Sequence, residues 1–190
     1  MNQTAKKASG TLRELLDWLD AVVVSVFCIV LLFSFVFRMV GVDGRSMENT
    51  LMDQDKVIIR SIAYTPKAGD IVVISRDHDL DGSQAKPEPL IKRIIATEGQ
   101  TIDIDFTKGA VYVDDVELKE DYIKELTYNP GTNLIDLPAT VPPGCVFAMG
   151  DNRNISKDSR NAEIGMVDTR YIIGQAVFRI YPFDSFGVVK

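Results

Sequence analysis

The chain has 190 residues, with 27 acidic against 21 basic side chains, a formal charge of −6 and 46% hydrophobic residues. This length and composition fit one or two folded domains rather than a disordered chain. The acidic balance, with no basic run, excludes the clustered positive surface that nucleic-acid phosphates require.

Residues 1–20 are polar and mixed in charge, with Lys6, Lys7 and Arg13 countered by Glu14, Asp17 and Asp20, and Trp18 placed where an interfacial aromatic would sit. Ala21 to Phe37 is then free of charge for seventeen residues. That is the lower limit for a spanning helix, and a snorkelling Arg38 would let Met39 and Val40 add length. The pattern predicts one transmembrane anchor over 21–40. It is too long for the apolar part of a cleavable signal, and Phe35-Val36-Phe37-Arg38 lacks small residues at the spacing of a cleavage site. Basic residues flank the segment about equally on both sides, so charge leaves its orientation open. Cys28 lies inside this segment and Cys145 far down the chain, and no disulfide is expected between them.

The polar stretch Gly44-Arg45-Ser46-Met47-Glu48-Asn49-Thr50-Leu51 begins a few residues after the anchor and makes Ser46 a candidate nucleophile at a membrane surface. A serine hydroxyl needs a base. After it, Val57–Ile62 is a short apolar run, Pro66–Asp70 a turn, and Ile71–Ile74 a second strand. The only histidine, His78, follows within Arg76–Gly82, a run of charge and glycine that predicts an exposed loop. A triad histidine has to be oriented and shielded by its neighbours, which this context does not offer.

Two further spacings occur in this region. Asp77, Asp79, Asp81 and Gly82, followed by Glu88, match a calcium-binding loop, but Pro87 and Pro89 bracket the glutamate and a solvated acidic loop is the favoured reading. Ser83 and Lys86 have a Ser-x-x-Lys spacing that needs a helix, which Pro87 opposes.

Leu90–Ala96 predicts a strand in which Lys92 shares a face with Leu90 and Ile94 while Arg93 points the other way. An ammonium among aliphatic side chains loses hydration, which favours its neutral form and fits it to accept a proton. The alternative on pattern alone is a strand lysine that snorkels to water. Val111–Val113 and Val116–Leu118 flank Asp114-Asp115 as a hairpin, Pro138–Gly144 is another turn, and Cys145–Met149 and Ala176–Ile180 are later strands. Gly150–Arg160 is a third polar cluster, in which short polar residues and paired charges could orient a nearby lysine or form an exposed turn. Strands at this density predict a mainly β domain over 41–190, preceded by the single N-terminal transmembrane helix.

Four boxes in this order resemble those of the bacterial type I signal peptidases. They are Gly44 to Leu51, Gly69-Asp70-Ile71-Val72, Ile91-Lys92-Arg93-Ile94-Ile95, and Gly150 to Arg160. The resemblance covers nearly the whole chain. It implies a membrane-bound serine endopeptidase with a signal-peptidase-like β-fold domain outside the cytoplasm and residues 1–20 inside, which removes signal peptides from secretory preproteins. Carried over by residue, it implies Ser46 as nucleophile and Lys92 as general base, a Ser-Lys dyad, with Ser156 hydrogen-bonded to the lysine. Asp158 and Arg160 would brace the site, Asp151 and Asn152 would support the same loop, and Met47, Leu51 and Ile91 would line pockets for small side chains. No cofactor or metal is implied.

Asn49 stands where the family usually has proline, and Glu98-Gly99-Gln100 replaces a common Pro-Gly-Asp, which predicts altered loop rigidity with the chemistry kept. Gly44 offers no hydroxyl to an oxyanion, which would then depend on backbone N–H groups such as that of Ser46. Two other readings share parts of this pattern. A repressor-type self-cleaving protease would carry a soluble partner module and not an anchor, and a tethered β domain could bind exported chains without cutting them.

Overall fold

The computed structural model describes residues 3–75 and 89–190, including side chains except those of residues 3–13 and 32–37. His78, the acidic positions Asp77, Asp79, Asp81 and Glu88, and the Ser83/Lys86 pair lie outside the described residues.

The chain divides into two compact units, residues 1–37 and 38–190. The first is a helix, α1, running Gln3–Val36. From Leu15 to Leu31 its large apolar side chains are exposed, among them Trp18, Val23, Phe27 and Ile29. Among the described residues no helix is long and apolar enough to cross a membrane. The helix differs from the predicted span at both ends. It starts far before residue 21, and Phe37–Val40, drawn as its last turn, belong to a strand. Phe, Met and Val at 37, 39 and 40 suit a strand as well as an apolar helix, so nothing local marks the change.

Twelve strands occur among the described residues: β1 Phe37–Gly41, β2 Lys56–Arg60, β3 Ile71–Ile74, β4 Leu90–Thr97, β5 Thr101–Asp105, β6 Ala110–Val113, β7 Val116–Glu117, β8 Ala139–Thr140, β9 Cys145–Met149, β10 Val167–Asp168, β11 Ile172–Tyr181 and β12 Gly187–Val188. The larger sheet has the order β1-β2-β11-β3-β4-β9-β10, with β12 also on β11, and the smaller has the order β7-β6-β5-β8. The β6–β7 hairpin turns through Asp114 and Asp115, at φ 52° and 64°. Two positive values in a two-residue loop match the twist of the flanking strands.

The apolar residues collect into three clusters. One holds Val42, Met47, Leu51, Val57, Ile59, Ile71, Val73, Ile91 and Ala176. A second joins Ile95 and Ala96 of β4 to Ile102, Ile104, Val111, Phe147 and Met149 beneath the smaller sheet. The third joins Val72, Ile74 and Ile94 to Val146, Ala148 and Val167, with Leu90 against it. Strand β4 feeds all three, so its side chains are fixed from every side. Lys92 is carried on a strand whose six central residues are all buried.

Candidate active site

After β1 the backbone turns at Gly44, whose φ of 85° suits glycine, and Gly44 N donates to Asp53 Oδ1 at 2.9 Å. Met47 to Leu51 then form a tight turn, with Thr50 N and Leu51 N both donating to the Met47 carbonyl at 3.1 and 2.8 Å. Burial of Met47 and Leu51 in the first cluster pins this turn. Ser46 is left at its start, half-buried.

Lys92, opposite Val72 in the β3–β4 pairing, is only 3% exposed. It does not snorkel to water: its Nζ donates to Ser46 Oγ at 2.8 Å and to the Ile91 carbonyl at 3.0 Å. Arg93 beside it is equally buried. Its Nε and Nη2 donate to Asp151 Oδ1 and Oδ2 at 2.9 and 2.7 Å, and Nη1 donates to the Gly69 carbonyl at 2.8 Å. A two-pronged guanidinium–carboxylate pair of this kind fixes orientation as well as distance. Thr50 Oγ1 donates to the same carboxylate, so Asp151 joins the Ser46 turn to β4.

The Gly150–Arg160 loop closes over this arrangement. Asn152 N donates to the Ser46 carbonyl at 3.0 Å, and its Nδ2 donates to the Arg45 carbonyl and to Glu48 Oε2, both at 3.1 Å. Asp158 and Arg160 form a second buried two-pronged pair, at 2.8 and 2.9 Å. Arg160 Nη2 also donates to the Arg153 carbonyl at 2.6 Å, and Asp158 Oδ2 accepts from Gly150 N at 3.0 Å. Gly150 has no room for a side chain, because a Cβ there would overlap Ser156 Oγ and the Ser46 carbonyl. Ser156 Oγ therefore sits beside Ser46, but the hydrogen bond expected between it and Lys92 is not formed in this structure: the hydroxyl is buried without a hydrogen-bond partner.

A cleft of about 310 Å³ opens at the pair, lined by Gly41, Val42, Asp43, Ser46, Met47, Pro89, Leu90, Ile91 and Lys92. Met47 and Ile91 are on its wall. Leu51 is not: it is fully buried in the first cluster, behind the turn. Gly44 is also absent from the lining, and its N–H is already committed to Asp53.

Several residues that support the site were not singled out from the sequence. Arg153 is fully buried, donating from Nε to the Gly150 carbonyl at 3.0 Å and from both terminal nitrogens to Glu120 at 2.9 and 2.6 Å. Lys124 Nζ donates to Glu48 Oε2 at 2.7 Å. Hydrogen bonds from Arg45, and then from Lys124, hold the Glu48 carboxyl down at about 2. A depressed carboxyl keeps its contacts above its ordinary range and loses them only as pH falls through the lowered value, so this network is intact throughout the neutral range. Asn49 has a φ of 95°, which a proline ring locked near −65° cannot adopt. Its departure from the family pattern is thus a differently built turn. At the other departure, the Glu98 carboxylate accepts from Gly144 N at 2.7 Å, tying two turns together.

A family model described as signal peptidase, peptidase S26, matches residues 15–181. The chain is 32% identical over 196 residues to signal peptidase I of Bacillus amyloliquefaciens, covering 99% of this chain and 100% of that one. It is 30% identical over 190 residues to signal peptidase I of Bacillus licheniformis, covering 96% and 97%. A solved signal peptidase I from Enterococcus faecalis V583 aligns over 59% of this chain and 97% of that chain at 27% identity, with a TM-score of 0.44, too loose a likeness to add to the argument. The chain is a peptidase, and the reading of a tethered domain that binds without cutting is not favoured. It belongs to the signal peptidase family, peptidase S26.

Proposed function

We propose that this peptidase is anchored in a membrane and removes signal peptides from secretory preproteins after small-x-small sequences, with Ser46 as nucleophile and Lys92 as general base. The observation that carries the reading is the 2.8 Å contact between Lys92 Nζ and Ser46 Oγ at the end of a cleft. In its unprotonated form Lys92 takes the Ser46 proton as Oγ attacks the scissile carbonyl. The resulting ammonium gives that proton to the departing amine of the mature protein, leaving the signal peptide esterified to Ser46. Water then gives a proton to the same lysine as it attacks the ester, the ammonium passes that proton to Ser46 Oγ as the ester bond breaks, and the signal peptide leaves as a carboxylic acid that ionises in solution.

Each supporting residue has a role consistent with its contacts. Asn152, through the Ser46 carbonyl, and Asp151, through Thr50 and Arg93, hold the nucleophile's turn against the strand of the base. The Asp158–Arg160 pair keeps the loop closed. The Ser156 hydroxyl lies buried beside Ser46 with its hydrogen-bonding capacity unused, and would support Lys92 if the two met during the reaction. With Gly44 N engaged by Asp53, the Ser46 N–H is the donor assigned to the oxyanion. Met47 and Ile91 would receive the small side chains before the cut.

The unprotonated amine is the form that can act as base, so kcat is expected to rise with pH. The test is a pH–rate profile on a preprotein with Ala-x-Ala before the cut, under conditions where chemistry limits the rate. A flat profile would count against this lysine.

The bilayer reading rests on the charge-free sequence Ala21 to Phe37 and on the exposed apolar side chains of α1. The domain beyond it would lie outside the cytoplasm, where translocated preproteins emerge. Membranes washed with alkali should retain the full chain and release a form lacking residues 1–36; loss of the full chain to the supernatant would remove the anchor.

A further inference from the structure

The segment between β7 and β8 places one residue, Tyr122, in contact with both halves of the reacting pair's framework. From the nucleophile's side, Asn49, three residues past Ser46, donates its Nδ2 to the Tyr122 carbonyl at 2.9 Å and to the Ile123 carbonyl at 3.3 Å. From the base's side, the Tyr122 ring covers the guanidinium of Arg93, the neighbour of Lys92, with the guanidinium carbon 4.0 Å from the ring centroid. That distance is well within the range at which an aromatic face attracts a cation. Tyr122 is itself held from behind. Its hydroxyl donates to Glu120 Oε1 at 2.9 Å, and Glu120 is paired with the buried Arg153. Burial, then the Glu120 charge, pushes the Tyr122 phenol up, so the hydroxyl stays a donor throughout the working range.

Asn49 is shaped for this contact. A φ of 95° is reached readily by few residues other than glycine and asparagine. That backbone conformation carries the amide toward the two carbonyls across 73 residues of sequence. The turn Met47–Leu51 thus has a side-chain tether on its exposed side in addition to Thr50–Asp151 on its inner side.

We propose that Asn49 and Tyr122 are positioning residues that jointly set the separation of Ser46 Oγ and Lys92 Nζ. Asn49 anchors the turn that carries the serine, and Tyr122 clamps that anchor to the arginine next to the lysine. The proposal rests on Ser46 and Lys92 being the reacting pair. A misplacement of about 1 Å in such a pair can cost on the order of a hundredfold in rate.

The test uses the full chain in detergent or lipid and four variants. Asn49→Gly keeps the positive φ and removes the amide; Asn49→Asp keeps the shape but turns a carboxylate toward two carbonyl oxygens. Tyr122→Leu removes the ring, and Tyr122→Phe keeps both ring and carbonyl. On an Ala-x-Ala preprotein, Asn49→Gly, Asn49→Asp and Tyr122→Leu are expected to lower kcat about tenfold or more with KM within about twofold, whereas Tyr122→Phe restores most of the rate. The Asn49→Gly/Tyr122→Leu pair should lose less than the product of the single losses, because both act through one clamp. Hydrogen exchange at the Thr50 and Leu51 amides should be faster in the three impaired variants. Wild-type kcat and wild-type exchange in Asn49→Gly and Tyr122→Leu would overturn the proposal, as would a loss of rate matched by loss of folded protein. If the wild type itself does not cut the preprotein, the proposed function fails. The exchange comparison then still decides whether the clamp holds the turn: faster exchange supports it and unchanged exchange overturns it.

Discussion

Replacing Ser46 or Lys92 by alanine is expected to lower kcat on a preprotein by roughly 10⁴-fold or more, and replacing both is expected to be no worse than either alone. In the proposed mechanism the two groups act as a unit: without the amine the hydroxyl would keep its proton, and without the hydroxyl the amine would have nothing to activate. Lys92→Arg should not rescue the rate, since a guanidinium stays protonated and cannot serve as base. Stability should change little with Ser46→Ala, because the side chain is half-buried and the hydrogen bond it gives up is the one from Lys92. Thermal melts of each variant alongside kcat separate the chemical loss from unfolding. Losses that multiplied in the double variant would mean that the two residues contribute independently.

The largest effect on stability is expected at Asp151. Its carboxylate is inaccessible to water and neutralises Arg93 through two hydrogen bonds while accepting a third from Thr50. Asp151→Ala would leave the guanidinium buried without a counter-charge, a change that costs about 3 to 5 kcal/mol in comparable sites. Urea unfolding followed by far-UV circular dichroism reads the change. The expected result is a lower midpoint with an unchanged slope, the sign of lost stability without a changed unfolding mechanism. Residual activity per folded molecule should also fall, since Asp151 links the serine's turn to the strand of the lysine. A midpoint equal to wild type would show that water or another group compensates Arg93.

The central strands were legible because their physics is local. Ile71–Ile74 and Cys145–Met149 are bounded apolar runs and occur as β3 and β9 with those limits, and Asp114-Asp115, two turn-favouring residues between two short apolar runs, joins β6 to β7. The end of α1 was not legible, because Phe37–Val40 continue an apolar run whose switch from helix to strand is decided by pairing beside β2. Strand β5 alternates Thr, Ile, Asp, Ile, Asp, and the two isoleucines are buried. The period was there, in a run too short and too acidic to stand out. In the site, Lys92 was legible as a charge among aliphatic residues, but whether it met Ser46 or water depended on where the turn at 44–51 docks. Arg93, Arg153, Glu120 and Tyr122 were opaque for the same reason. A buried ion pair between residues 58 or 33 positions apart leaves no local pattern, and only the fold brings its halves together. Asn49 shows the reverse case: the missing proline was visible, while the positive φ that makes proline impossible was not.

The most direct measurement is to find where the covalent intermediate forms. The full chain is mixed with an Ala-x-Ala preprotein, quenched in acid within one turnover, digested and mapped by mass spectrometry, beside the Ser46→Ala and Lys92→Ala variants. The account predicts the signal peptide's carboxyl group esterified to Ser46 in the wild type, at a level strongly reduced without Lys92 and zero without Ser46. An adduct on another residue, or normal cleavage by Ser46→Ala, would contradict it.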